Sequence, residues 1–207
     1  NLSDLANKNG INTFHGYLND KAIAPIKNGA DLILASNVFA HADDLKSMAE
    51  SMKKLIKPEG KIIIEVQYLL NTIKDLTFDN IYHEHTNYWS LQSLTSFFEK
   101  LNLKIFKAEK INTHGGSIRV YVSQEKNITI DESVKNLLDE EIKFGLRKLS
   151  TYFDFGKKID NLKSEVINNL KNIKKKHPKL LGYGAPAKAT TALNYFNINK
   201  VVDYIIE

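Results

Sequence analysis

Asp31-Leu32-Ile33-Leu34-Ala35-Ser36 and Lys61-Ile62-Ile63-Ile64-Glu65-Val66 are two short apolar runs, and what lies between them decides the fold. The first is entered by Gly29 and reads as a buried strand. Asn37 to Asp43 follows as a loop. Asp43 is a good N-cap, and Leu45, Met48, Ala49, Met52, Leu55 and Ile56 recur behind it at helical spacing. Pro58-Glu59-Gly60 stops that helix ahead of the second run. Strand, crossover helix and strand thus occupy 31–66, the length of one βαβ unit. Such units call for a parallel sheet with helices on both faces, so the fold class is α/β.

Working outward, residues 2–9 read as a short helix ended by Gly10. Residues 67–90 carry few periodic signals and many polar aromatics. Ser90 caps a helix whose apolar face is Leu91, Leu94, Phe97, Phe98 and Leu101. Two strands follow, about 103–111 and 117–123, joined by Asn112-Thr113-His114-Gly115-Gly116, where glycines supply the positive φ a hairpin needs. The parallel sheet therefore finishes in an antiparallel hairpin. Residues 131–176 are helical and charged, with one apolar stripe at Ile159, Leu162, Val166, Leu170 and Ile173. A new unit then opens: a strand at 179–182, a helix at 186–194 and a strand at 200–206. The boundary is expected near 155, giving a first domain at 1–155 and a smaller α/β domain at 156–207.

Composition narrows the function classes. The 207 residues are 43% apolar and 26% charged, which is a globular balance rather than a disordered one. No uncharged apolar run approaches the ~18 residues of a membrane span. There is no cysteine, which excludes disulfide scaffolds, cysteine nucleophiles and thiolate metal sites. Asn1–Gly10 is polar and does not read as a signal peptide, so a reducing cytoplasm is the expected compartment. The net charge of +5 comes mostly from Lys spread along helical stretches, such as Lys171, Lys174, Lys175 and Lys176. A solvated Lys-rich surface explains it, and neither nucleic acid nor a membrane is an expected partner.

Three stretches carry candidate chemistry. The densest is Tyr82-His83-Glu84-His85. Its histidines and glutamate are not spaced one helical turn apart, as strong His-metal motifs are, and no metal site is expected. Read as extended chain, it places His83 and His85 on one face and Tyr82 and Glu84 on the other. Acid–base work suits the set: a His accepts a proton, a carboxylate orients it or holds substrate, and a Tyr donates to an oxyanion. A surface loop with incidental titratable groups is the plain alternative. Asn37 and His41 follow the first strand, at the carboxyl edge where open parallel sheets bind ligands. Second is Gly182-Tyr183-Gly184-Ala185-Pro186-Ala187-Lys188, which fits G-x-G-x-x-A between a strand and a helix, with Asp203 about twenty residues on. Read alone, that turn allows a nucleotide- or NAD(P)-binding oxidoreductase, or only close strand–helix packing. Third, Arg119 and Tyr121 share one strand face behind His114-Gly115-Gly116-Ser117; Arg119 suits a phosphate or carboxylate, or lies on a solvent face.

Taken in order, Tyr82-His83-Glu84-His85, Tyr88-Trp89-Ser90-Leu91, Thr113-His114-Gly115-Gly116-Ser117-Ile118-Arg119-Val120 and Gly182–Lys188 resemble the S-adenosylmethionine-dependent sugar C-methyltransferases. Asp31 to His41 looks like that family's fourth-strand segment. The resemblance covers essentially the whole chain and implies the end of a class I methyltransferase Rossmann-like sheet, closed by its antiparallel hairpin, followed by a second, smaller Rossmann-like unit. It implies a nucleotide-linked 4-keto deoxysugar as substrate and S-adenosylmethionine as methyl donor. His85 matches the base that removes the C3 proton, and Tyr82, Glu84 and His41 match other catalytic positions. Asn37 is placed to touch the donor, and His83, Tyr183, Lys188 and Arg119 are the candidate substrate contacts. The family's cysteine-ligated zinc module and its first glycine-rich donor turn have no counterpart here, so the segment is expected to be internal to a longer enzyme.

Overall fold

The computed structural model describes residues 1–207. Helix α1 (Leu2–Lys8) and the single turn α2 (Asp20–Ile23) precede strand β1 (Ala30–Ser36), helix α3 (Leu45–Leu55) and strand β2 (Ile56–Gln67). Then come α4 (Leu69–Lys74), α5 (Leu91–Glu99), the strands β3 (Lys104–Ile111) and β4 (Ser117–Ser123), α6 (Glu132–Phe144) and the long α7 (Leu149–Lys176). The chain closes with β5 (Leu181–Tyr183), α8 (Ala187–Tyr195) and β6 (Tyr204–Ile206).

The main sheet runs β1-β2-β4-β3. β1 and β2 are parallel, with α3 as their crossover, while β4 inserts antiparallel between β2 and β3. The expected βαβ unit and terminal hairpin are both present. Asp44, not Asp43, caps α3: its carboxylate accepts from the Ser47 amide at 2.9 Å. The segment 67–90, silent in periodicity, contains α4 and a 3-10 turn at Phe78–Asn80. The stretch read as continuous helix from 131 breaks at Gly145, whose φ of +86° ends α6 in a left-handed cap. Residue 155 lies inside α7, and Phe155 packs against both apolar clusters.

Within residues 1–207, β1 stands at the end of the strand order, and Leu32 and Leu34 are 51% and 67% exposed where the apolar run predicts a buried strand. The helices of this chain cover one sheet face. Alternation places Ile62, Ile64 and Val66 of β2 with Ile118, Val120 and Val122 of β4 on the buried face, against Met52 of α3, Leu94 and Phe98 of α5 and Val134 of α6. The opposite face carries Leu32, Leu34, Ile63, Glu65, Arg119 and Tyr121, and no helix of the chain lies on it. An apolar run fits a strand buried on both faces or on one, so the run itself could not settle which.

The hairpin is fixed by packing. Gly116 has φ +104°, and a Cβ there would stand 2.6 Å from Cβ of Asn71. Its carbonyl accepts from the Tyr68 amide, tying the hairpin to the end of β2. Beneath this lies a buried carboxylate. Glu141 of α6 is 3% exposed and accepts from Tyr68 Oη at 2.9 Å, from the Leu91 amide and from the Gln92 amide at 3.1 Å. It therefore puts a negative charge on the first turn of α5, beside the Ser90–Ser93 capping box. Burial, then the Glu141 charge, pushes the Tyr68 phenol well above its ordinary range, so it remains a donor.

β5 and β6 form a separate parallel pair joined by α8. Phe78 of the 3-10 turn, Ile159 of α7 and Phe196 after α8 form the second apolar cluster, which binds this unit to the first.

Candidate active site

The carboxyl ends of β1 and β2 open onto a pocket of about 120 Å³. Asn37 and His41 reach it from the segment after β1, Val66 and Gln67 from the end of β2, and Tyr82 and His85 from the next loop. His114 enters from the hairpin turn and Lys188 from the first turn of α8. Five separate chain segments thus converge on one hollow, at the sheet edge where parallel strands leave ligands room.

Tyr82-His83-Glu84-His85 is not extended. The His85 amide donates to the Tyr82 carbonyl at 3.0 Å, closing a turn. A turn brings i and i+3 together, so Tyr82 and His85 meet: Tyr82 Oη and His85 Nε2 are 3.3 Å apart and the ring centroids 4.4 Å. The expected pairing of His83 with His85 is thereby replaced. The His83 side chain is 83% exposed and lines an adjoining groove, while Glu84 turns outward beside His83. Thr86 anchors the turn to the loop after β1, donating through its amide and hydroxyl to the Ala40 carbonyl. That brings the His41 ring to a centroid distance of 4.8 Å from His85.

The protonation geometry of His85 follows from its partners. Nδ1 lies 2.8 Å from the Asn80 carbonyl oxygen, which can only accept. Nδ1 therefore carries the hydrogen and Nε2 the lone pair, and Tyr82 Oη–H donates to it. Burial pushes the His85 pKa down first; His41 and Lys188 push the same way, against the Asn80 hydrogen bond and Glu84. Burial, then the Glu84 charge, pushes Tyr82 up. The ring is thus a neutral base beside a neutral phenol. Lys188 has no carboxylate partner, and a groove of about 490 Å³ runs from Tyr82 and His83 along Ala187, Thr190, Thr191, Asn194 and Tyr195 of α8.

Two expected contacts lie elsewhere. Arg119 is on the uncovered sheet face, where its guanidinium donates to Glu65 at 2.9 and 3.2 Å. Tyr183 is 92% exposed and lines neither hollow. Asp203, the acidic residue that a dinucleotide site would need, instead accepts from the Leu180 amide at 2.8 Å and from Lys174 at 3.0 Å. Gln67 was not singled out by its sequence, although the carboxyl-edge rule that selected Asn37 applies equally at the end of β2. The Asn80 carbonyl left no trace in the sequence, because a backbone acceptor has no residue signature.

A parallel strand pair closed by an antiparallel hairpin, with titratable groups at its carboxyl edge, is the arrangement that the resemblance to a class I methyltransferase sheet implies. The chain belongs to the methyltransferase family: the methyltransferase domain model matches residues 3–108, just over half of it. The model of the C-methyltransferase C-terminal domain matches residues 112–207. The chain is 29% identical over 197 residues to the C-methyltransferase NovU of Streptomyces niveus, across 93% of this chain and 47% of that protein. It thus spans about half the length of that relative. Among solved structures, the mitomycin 7-O-methyltransferase MmcR aligns at 16% identity over 58% of this chain and 37% of its own, with a TM-score of 0.45. An O-methyltransferase family protein from Burkholderia thailandensis aligns at 11% identity over 61% of this chain and 41% of its own, with a TM-score of 0.42. No helix is long and apolar enough to cross a membrane.

Proposed function

We propose that this chain carries the base and acceptor side of an S-adenosylmethionine-dependent C-methyltransferase acting on a nucleotide-linked 4-keto deoxysugar. The observation that carries the reading is His85: a hydrogen-bonded Nδ1–H leaves the Nε2 lone pair at the pocket, beside the Tyr82 hydroxyl. A C–H next to a ketone is the proton such a base can remove, provided the enolate oxygen is stabilised. With the Tyr82 hydroxyl turned from Nε2 to the substrate oxygen, His85 Nε2 takes the C3 proton, and the C–H electron pair becomes the C3–C4 π bond while the carbonyl pair moves onto oxygen. Tyr82 Oη–H and the unpaired Lys188 ammonium are the groups that would meet that oxygen and the substrate's phosphate charge. His41 sits against His85, at a ring centroid distance of 4.8 Å.

Asn37 suits contact with the donor: its backbone is held at φ +53° and its amide side chain has only a long 3.4 Å contact to Ser36, so it is free to bind. When bound, S-adenosylmethionine supplies an electrophilic methyl on sulfur and leaves as a thioether. His83 lines the groove and Glu84 stands beside it, and these two are the candidate contacts for the sugar or its nucleotide. The groove along α8 would take the nucleotide, and the two-unit division near 155 belongs to the same proposal.

Deuterium wash-in tests the base. A nucleotide-linked 4-keto-6-deoxyhexose is incubated with the chain in D₂O and its C3–H signal followed by NMR. Loss of that signal should be catalysed by the chain and abolished by His85→Gln. Equal wash-in by both proteins sinks the assignment.

A further inference from the structure

The unit containing α8 does more than line a groove. Phe78 opens the 3-10 turn Phe78–Asn80 and packs its ring on Phe196 and Tyr195, with centroids 4.9 and 5.3 Å apart. Ile159 of α7 completes that cluster, and Phe78, Ile159 and Phe196 are all buried. Just past the turn, Thr191 of α8 donates its hydroxyl to the Ile81 carbonyl at 3.2 Å. Between these anchors sits Asn80, 1% exposed, its side chain donating to Thr77 at 3.2 Å. Its carbonyl is the acceptor for His85 Nδ1–H. A carbonyl on a free loop turns to water; this one is clamped on both sides by contacts from residues 155–198.

We propose that the second unit positions the base: Phe196 acting through Phe78, and Thr191 acting through Ile81, hold the Asn80 carbonyl where it fixes His85 in the Nδ1–H tautomer. Both are positioning residues. The consequence is chemical, because in the other tautomer Nε2 carries a hydrogen and cannot accept the substrate's proton. The catalytic meaning rests on the proposed role of His85, but the geometry does not.

The test is made on the 207-residue chain with ¹⁵N-labelled histidine, at about pH 8 where imidazoles are neutral. Long-range ¹H–¹⁵N spectra report the tautomer, and His85→Gln assigns the signal. The wild type should show Nδ1 protonated and Nε2 bare. Thr191→Val should begin to mix the tautomers, and Phe196→Ala should carry them toward the Nε2–H form that free side chains prefer. Leu103→Ala, a cavity in the main core, should lower stability and leave the tautomer fixed. In wash-in kinetics Phe196→Ala, which lies outside the groove along α8, should lose kcat with little change in KM, whereas a pure substrate contact changes KM. A wild type in the Nε2–H form, or a folded Phe196→Ala with the native tautomer, overturns the proposal. If Phe196→Ala does not fold, Phe196→Leu combined with Thr191→Val takes its place under the same criterion. If no wash-in occurs at all while the tautomers respond as expected, the proposed reaction is wrong and the positioning stands.

Discussion

Replacing Glu141 with Ala should be among the most damaging single changes outside the pocket. The carboxylate is 3% exposed and receives three hydrogen bonds: one from the Tyr68 phenol and two from the first amides of α5. Removing it strands two buried donors and the half-buried Gln92 amide. At about 1–3 kcal/mol for each unsatisfied group, with some relief from the retained Ser90 cap and from entering water, the expected loss is about 4–5 kcal/mol. A domain with a total of about 5–15 kcal/mol would be close to unfolding. Glu141→Gln keeps the volume and one acceptor oxygen, but turns an NH₂ group toward the Gln92 amide; about 2–3 kcal/mol is expected. Tyr68→Phe removes one donor and leaves the carboxylate two, at about 1.5–3 kcal/mol. Urea unfolding of the four proteins gives midpoints and slopes, and a double-mutant cycle of Tyr68→Phe with Glu141→Gln isolates the phenol–carboxylate pair. The reasoning is refuted if Glu141→Ala unfolds within ~0.5 kcal/mol of wild type at unchanged slope, the range typical of featureless surface positions.

Gly116→Ala combines a positive φ with a 2.6 Å clash on Asn71, so a loss of about 2–3 kcal/mol, or roughly 4–12 °C in Tm, is expected by calorimetry. For His85, a lowered pKa puts the acid limb of C3 wash-in below the ordinary value of about 6.5, and Lys188→Ala should move that limb to higher pH by removing a nearby positive charge; an unmoved limb refutes the electrostatic coupling. Asp203 has its pKa lowered by the Leu180 amide and then Lys174, so its contribution to the β5–β6 unit is present above the usual carboxylate range of about 4 and is lost as pH falls through the depressed value. Asp203→Asn should therefore flatten the acid limb of stability, followed by circular dichroism, and an unchanged limb refutes the assignment. Arg119→Gln should leave KM for the nucleotide sugar unaltered, because Glu65 holds the guanidinium on the uncovered face.

The sequence by itself determined the local order: two apolar runs with an amphipathic helix between them, the Ser90 cap, the glycine hairpin and the βαβ pattern after 179. These follow from short-range rules of apolar period, cap chemistry and positive φ, which act within a few residues. It also marked His41, Asn37, Tyr82, His85 and Lys188, which meet at one pocket although Asn37 and Lys188 are far apart in the chain. Only the tertiary structure decided how these groups stand. Tyr82–His85 is turned rather than extended, closed by the His85 amide on the Tyr82 carbonyl and tied through Thr86 to the distant Ala40 carbonyl. The hydrogen on His85 is set by a backbone carbonyl, whose aim depends on Phe196 more than a hundred positions away. Glu141 reads as one more charge on an amphipathic helix and proves to be the buried anchor of another. Arg119 reads as a phosphate or carboxylate contact, or as a solvent-facing residue, and is held by Glu65 across the strand register. Sequence fixes which groups are available; which of them meet, and in what protonation state, is set by long-range packing that no local pattern encodes.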